Sequence, residues 1–231
     1  MFKSPLLILC LITFGLSAQQ SKSDLPDPLD LYQEKVSAPN NSIYIGKVDP
    51  LSMNSRSTHP FFETRGWQKS TVIYNGITYE DLDALYDINR GVVILKYPEP
   101  GKVVAVALNM NRVDNFSIGD NAFRKPKYKG KEGFFEVIFE GEEMNLIVNR
   151  QKTEETTNTE VTYVDENVFY IERHEELVLL NNKKVLKEMF TNYKEITARI
   201  KSLNSNLKFS KFNEEKLVGY MKAFDEATGE I

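Results

Sequence analysis

The chain has 231 residues, of which 41% are hydrophobic, and its 29 Lys and Arg are set against 33 Asp and Glu. This length and apolar content suffice for a sizeable core, in one large or two small domains. The net charge of −4 is mildly acidic, with basic and acidic residues interspersed. Because no basic stripe is present to neutralise phosphates, we do not expect a nucleic acid as partner.

Residues 1–18 have the features of a cleavable secretory signal peptide, in the usual order. Lys3 precedes an apolar run over residues 6–14, and the small pair Ser17-Ala18 follows it. The run is shorter than the roughly 20 residues of a membrane-spanning helix, and no later segment approaches that length. We therefore predict export and no transmembrane segment. Cys10 is the only cysteine, so the mature chain would have no disulfide and no thiolate chemistry.

Residues 19–41 are rich in Ser, Pro, Asp and Asn and have no apolar period, which predicts a flexible leader. A β domain is predicted for residues 42–180, where short apolar runs alternate with turns. The predicted strands are Ile43–Val48, Thr71–Tyr74, Ile77–Tyr79, Val92–Tyr97, Val103–Leu108, Asn115–Ile118, Phe134–Phe139, Met144–Val148, Val168–Ile171 and Glu176–Leu180.

Turn residues between these runs predict hairpins. Asn75-Gly76 is the strongest such signal, because both residues tolerate positive φ. A second hairpin is predicted at Gly141-Glu142-Glu143. The polar stretch Gln151–Glu160 is expected to be a long exposed loop or a joint between subregions. Together these elements predict an antiparallel meander that forms a sandwich or an open barrel.

Residues 181–231 are predicted to be helical and to pack on the β domain, which gives an α+β protein that is mainly β. Asn181-Asn182 is a candidate cap for an amphipathic helix, and a second helix is predicted from Asn213 to Phe224. Apolar residues of the first helix recur every three or four positions, at Leu186, Met189, Tyr193, Ile196, Ile200 and Leu203. Partner binding or a coiled coil is the alternative use of these apolar stripes.

Signatures of catalysis and of metal binding are missing from the sequence. It has no G-x-S-x-G elbow, no S-x-x-K box and no phosphate-binding glycine loop, so we predict no catalytic residue and no cofactor. The acidic run Glu80-Asp81-Leu82-Asp83 with Asp87 lacks the glycine of a calcium loop, which favours a solvated turn or strand end. His59 and His174 lie far apart in the sequence, so no metal site is predicted.

Aromatic residues offer the best candidates for contacts with a partner or ligand. Most of them are expected in the core or in cross-strand pairs. We single out Trp67, the only tryptophan, together with Phe61 and Phe62, as candidate contact residues.

Several segments resemble uncharacterised secreted proteins of Bacteroidetes, especially those of flavobacteria. The segments that carry the resemblance are Leu16-Ser17-Ala18-Gln19, Tyr74-Asn75-Gly76-Ile77-Thr78-Tyr79, Leu85-Tyr86-Asp87, Gly133-Phe134-Phe135-Glu136-Val137, Gly141 and Leu207-Lys208-Phe209. The resemblance implies a Gram-negative envelope, with the periplasm or the inner face of the outer membrane as the location. It implies no activity and no catalytic residue.

These patterns favour a non-enzymatic periplasmic protein that binds another protein, such as an accessory subunit of an outer-membrane assembly or secretion complex. An outer-membrane barrel is the candidate partner. The alternative is a carrier of lipid or another apolar ligand, which predicts a ligand-sized apolar cavity. A third hypothesis is a glycan-acting hydrolase, which would need two facing carboxylates in a cleft and leaves no sequence mark.

Overall fold

A computed structural model describes residues 42–51, 57–98, 101–126, 131–158, 160–173, 176–201 and 214–229. The predicted signal peptide and leader lie outside the described residues, as does His174.

Thirteen strands are found in these ranges. They are β1 (Lys47–Asp49), β2 (Gln68–Tyr74), β3 (Ile77–Asp87), β4 (Val92–Tyr97), β5 (Val104–Ala107), β6 (Val113–Ile118), β7 (Asn121–Arg124), β8 (Phe135–Glu140), β9 (Met144–Asn149), β10 (Lys152–Thr156), β11 (Val161–Asp165), β12 (Val168–Arg173) and β13 (Glu176–Leu179). The helices are α1 (Lys183–Met189), α2 (Lys194–Lys201) and α3 (Glu214–Gly229).

Eleven of the strands form one antiparallel sheet in the order β1-β5-β4-β3-β2-β6-β7-β8-β9-β12-β13, and β10 and β11 form a separate hairpin. The large sheet is not closed, because its end strands β1 and β13 are not paired with each other. The prediction of a mainly β, antiparallel fold with helices at the C-terminal end is confirmed.

The hairpin predicted at Asn75-Gly76 is present between β2 and β3. Asn75 has φ 51° and Gly76 has φ 75°, as a tight two-residue hairpin turn requires. The neighbouring strand also holds this turn, since the backbone N–H of Gly76 donates to Asp114 Oδ2 at 2.9 Å. Local turn chemistry was therefore a sufficient guide to this part of the sheet.

Two predictions about the strands are wrong. Gln151–Glu160 is not a loop, because Lys152–Thr156 forms β10 and pairs with β11 along its whole length. Its Thr and Glu side chains are exposed, so this strand forms its pairs without burying an apolar face. Ile43–Val48 is also not one strand, since a 3-10 helix occupies Ser42–Tyr44 and β1 begins only at Lys47.

Register relations define two faces of the large sheet. Side chains of successive cross-strand partners share one face of the sheet. One face, here called the helix face, carries Phe116, Phe123, Glu136, Val148 and Phe169. The other face is called the opposite face, and it carries Arg124, Phe135, Ile147 and Tyr170.

An aromatic cluster forms the core on the helix face of β2, β3, β6 and β7. Phe116 and Phe123 stack with ring centroids 4.9 Å apart, and Tyr86 meets both rings edge-on at 4.9 and 5.1 Å. Phe62 adds a further edge-on contact with Phe123 at 5.1 Å. Such pairs contribute about 0.5–1.5 kcal/mol each beyond the burial of their area.

The helices form a second core with the helix face of β9 and β12. The buried residues from the helical segment include Leu186, Phe190, Leu217, Met221 and Phe224. They pack against the strand residues Met144, Leu146, Val148, Phe169 and Ile171. The apolar residues of the C-terminal segment that belong to this core thus lie on the protein's own sheet, while Leu203 of the predicted stripe lies outside the described residues.

The first predicted helix is interrupted in the structure. Asn182 caps α1 as expected, because its side chain accepts hydrogen bonds from the N–H groups of Lys184 and Val185. The helix ends at Met189, however, and α2 begins only at Lys194. The side chain of Thr191 bonds back to the carbonyls of Lys187 and Glu188, which competes with continuation of the helix.

Helix α3 is also fixed to the turn between β8 and β9. The Asp225 carboxylate accepts hydrogen bonds from the backbone N–H groups of Glu142 at 3.1 Å and Glu143 at 3.4 Å. This contact requires glycine at position 141, since a Cβ atom there would lie 2.7 Å from Asp225 Oδ1 and 2.8 Å from a Phe139 ring carbon.

We predict that Gly141→Ala destabilises the protein by about 1–3 kcal/mol, because the added methyl group forces Asp225 or Phe139 out of place. Gly219→Ala is the control, since a Cβ atom at that α3 position meets nothing within 4 Å. Alanine there should stabilise the helix by about 0.5–1 kcal/mol. Urea denaturation of both variants checks the prediction, and equal effects would contradict it.

Candidate functional site

A buried arginine links the sheet to α3. Glu136 lies on the otherwise apolar helix face and is 4% exposed. Arg150 Nε donates to its carboxylate. The same guanidinium donates from Nη1 and Nη2 to Glu214 Oε1 and Oε2 at 2.5 and 2.9 Å. Because Glu214 is the first residue of α3, one cation holds a sheet carboxylate and a helix carboxylate together.

Glu136, Arg150 and Glu214 form a triad, and burial affects the pKa values of Glu136 and Arg150. It raises the pKa of Glu136, and the attraction of Arg150 does not fully offset that effect. Burial acts to lower the pKa of Arg150, but the carboxylates of Glu214 and Glu136 outweigh it and raise the pKa. Arg150 is therefore charged at every working pH and holds both carboxylates in place.

A polar cavity of about 470 Å³ lies beside this arginine. One wall is the segment that leaves β9 and enters β10, from Asn149 to Glu154. A second wall is the turn between β3 and β4, and a third comes from residues 132–134. The described lining residues are Tyr86, Ile88, Asn89, Arg90, Gly91, Glu132, Gly133, Phe134, Asn149, Arg150, Gln151, Lys152, Thr153 and Glu154.

Asp87 organises the turn on the second wall. Its Oδ1 accepts hydrogen bonds from the backbone N–H groups of Asn89 at 3.1 Å and Arg90 at 2.9 Å. Its Oδ2 accepts from Arg90 Nε at 2.6 Å, and Arg90 Nη1 donates to Asp49 Oδ2 at 2.8 Å. The Arg90 guanidinium is thus held between two buried aspartates, at the rim of the cavity.

Lys152 joins the first wall to the segment before β2. Its ammonium donates to the carbonyl oxygens of His59 at 3.0 Å and Phe61 at 2.8 Å. Burial lowers the pKa of Lys152, while Asp165 and Asp87 act in the opposite direction. Asn89 Nδ2 donates to the Lys152 carbonyl at 2.8 Å, so three separate chain segments meet at this residue.

The predicted contact residues Phe61, Phe62 and Trp67 do not line the cavity. Phe61 is 1% exposed and Phe62 is 5% exposed. The Phe62 ring lies 5.9 Å from the Arg150 guanidinium carbon. Trp67 is half-buried and packs against the small cluster that contains Phe61. Packing explains the position of all three, and their contact with a partner stays a prediction.

The acidic run separates into two environments. Glu80 and Asp81 are exposed, and Lys69 lies 2.8 Å from Asp81 and 3.4 Å from Asp83, as expected for a solvated region. They nevertheless lie inside β3 rather than at its end. Asp87 was expected to be solvated with them, but it is 2% exposed and paired with Arg90.

A second concave region, here called the opposite-face groove, crosses β2, β6, β7 and β8. Its volume is about 460 Å³. Ile73 and Val137 contribute apolar surface, while Arg124 and Glu140 contribute charge. The other lining residues are Thr71, Asn115, Phe116, Ser117, Ala122, Phe123, Ile138 and Phe139.

An ion pair fixes the arginine of this groove. Arg124 Nη1 donates to Glu172 Oε1 at 3.0 Å, and Nη2 donates to Oε2 of the same carboxylate. Asn145 Nδ2 also donates to Glu172, at 3.3 Å. Glu172 is 2% exposed, so this is a buried bidentate pair with a set geometry.

Sequence reasoning missed Arg90, Arg150 and Lys152 because charged residues of a strand or turn are usually solvated. Asp87-Ile88-Asn89-Arg90-Gly91 does carry a local signal, since aspartate before such a turn accepts backbone N–H bonds two and three residues later. Arg150 and Lys152 have no such local signal. Their partners lie 14 to 93 residues away in sequence.

No family model, curated protein or solved structure matches this chain. Each helix in the described part of the chain is too short or too polar to span a membrane. Within the same ranges, no group of three or more His, Cys, Asp or Glu side chains is placed to hold a metal ion.

We predict that Arg150→Met destabilises the protein by about 3–5 kcal/mol, because it leaves Glu136 buried without its cation. Adding Glu136→Gln should recover a large part of that loss, since the uncompensated charge is then gone. Urea denaturation measures both effects.

The matched control is Lys184→Met, which removes an exposed cation 3.6 Å from Glu188. It should leave the denaturation midpoint unchanged. An effect of Arg150→Met as small as that of Lys184→Met would show that the triad does not stabilise the fold.

Proposed function

We propose that the protein is a non-enzymatic, exported protein that binds another protein of the cell envelope through the opposite-face groove. The observation that carries this proposal is an open, partly apolar groove across four strands of a sheet whose other face is covered by the molecule's own core. Concave apolar surface with a few placed polar groups is typical of binding sites.

The composition of the groove supports a polypeptide partner. Ile73 and Val137 provide an apolar centre, and Asn115 and Ser117 provide groups that both donate and accept hydrogen bonds. Protein interfaces combine these features, with an apolar centre and a polar rim. Arg124 lies at this rim in a fixed geometry, and arginine is enriched where partners bind tightly.

An apolar ligand such as a lipid is the second candidate. The groove volume of about 460 Å³ falls within the range of about 300–1,000 Å³ that is usual for small-ligand sites. Its apolar lining would suit one acyl chain or a similar group. The polar residues among the lining favour the protein partner over this alternative.

The cellular part of the proposal rests on the sequence. The signal peptide predicted for residues 1–18 and the resemblance to secreted Bacteroidetes proteins support a periplasmic location. An accessory subunit of an outer-membrane assembly or secretion complex, in contact with an outer-membrane barrel, fits such a location.

We predict that Ile73→Glu reduces recovery of the partner at least about tenfold in a tagged pull-down from the native envelope, because a carboxylate in the apolar centre opposes burial. Ile77→Glu is the matched control. Ile77 belongs to the same hairpin and is 55% exposed, but it does not line the groove. Thermal denaturation shows whether both variants remain folded.

Equal recovery by the wild type and Ile73→Glu would contradict the proposal. Mass spectrometry of the extracted wild-type protein tests the second candidate in the same preparation. A lipid bound at fixed stoichiometry, and lost in Ile73→Glu, would favour the carrier.

A further inference from the structure

We propose that the polar cavity beside Arg150 is a second binding site, and that it takes a neutral, polyhydroxylated ligand such as a short oligosaccharide. This inference concerns a different surface from the opposite-face groove and does not depend on the proposed function.

Two of the three cations of the cavity are already paired with carboxylates, which argues against an anionic ligand. Arg90 lies between Asp49 and Asp87, and Arg150 bridges Glu136 and Glu214. An anion would have to compete with these carboxylates. It would also meet two further carboxylates in the lining, those of Glu132 and Glu154.

A cationic ligand is disfavoured by the third cation. It would approach Lys152, which lines the same cavity and whose hydrogen-bond acceptors are backbone carbonyls. Lys152 is held in place by two backbone carbonyls, so it cannot turn away without losing both bonds. The lining therefore favours a ligand without net charge.

Hydrogen-bonding groups of both kinds are displayed around the cavity. The amides of Asn89, Asn149 and Gln151 each provide donors and an acceptor, and carboxylate oxygens of Glu132 and Glu154 add further acceptors. Arg90 adds donors, since 46% of its side chain is exposed despite its ion pairs. A hydroxyl group both donates and accepts, so a polyol can satisfy such a mixed lining.

The remaining lining suits the C–H faces of a sugar ring. Ile88 and Phe134 contribute apolar surface beside the polar groups. The cavity volume of about 470 Å³ is within the usual range of about 300–1,000 Å³ for small ligands.

The site is also organised before any ligand arrives. Asn89 donates to the Lys152 carbonyl, Lys152 donates to His59 and Phe61, and Thr153 Oγ1 donates to Glu166 at 2.6 Å. Side chains that are already fixed lose less conformational entropy when they bind.

The test is nitrogen-15 NMR of the full-length protein with three neutral probes, namely cellotriose, maltotriose and triacetylchitotriose. Inorganic phosphate and a blocked trialanine amide serve as the anionic and the peptide comparison. We expect at least one saccharide to shift the side-chain amide resonances of Asn89 and Gln151 in a saturable manner, with no such shift from phosphate.

Gln151→Ala should weaken saccharide binding by about tenfold, the effect of about 1.4 kcal/mol. Asn111→Ala is the control, since this exposed asparagine does not line the cavity. The proposal is overturned if none of the saccharides binds, if only phosphate or the peptide binds, or if Gln151→Ala binds as tightly as Asn111→Ala.

Discussion

The ion pairs of the Arg150 guanidinium hold the sheet and α3 together. Arg150 lies at the boundary between the aromatic core and the helical core, and it neutralises a carboxylate that the sheet buries at Glu136. Without a cation there, a charge in the middle of an apolar face would cost several kcal/mol. The same guanidinium donates to Glu214. The cation that neutralises Glu136 therefore also fixes the first turn of α3 to the sheet.

The polar cavity lies beside Arg150. Arg150 lines the polar cavity and contacts Phe62, which belongs to the aromatic core. Neighbouring residues of the same segment, Gln151 and Lys152, complete one wall of that cavity. The opposite-face groove uses the same principle, because Arg124 is held by the buried Glu172 carboxylate. Both candidate sites thus present arginines whose geometry is set by buried carboxylates.

Local signals in the sequence were sufficient for much of the fold. Asn75-Gly76 gave the correct hairpin, Asn182 gave the correct helix start, and the alternating apolar runs gave most strands. The polar strand β10 was harder to predict from the sequence, because it is stabilised by pairing with β11 rather than by burial of an apolar face. The break after α1 was missed since the apolar period continues through it, while Thr191 bonds to carbonyls of the preceding turn.

The candidate sites were less predictable than the fold. The aromatic residues Phe61 and Phe62 are core residues. The carbonyl of Phe61 contacts Lys152 and the ring of Phe62 lies near Arg150, and both of these cations line the cavity. Most of the residues that line it have charged or amide side chains, and the partners of Arg150 and Lys152 come from distant segments, α3 and the residues before β2. No spacing rule links positions so far apart, so only the folded chain brings them together.

Native-state hydrogen exchange of the wild-type protein tests the central claim most directly. If Arg150 joins the sheet and the helical segment into one cooperative unit, the amides of α3 should exchange with the same free energy of opening as those of β8 and β9. Exchange of α3 through a local opening of much lower free energy, with the strands still protected, would contradict this account.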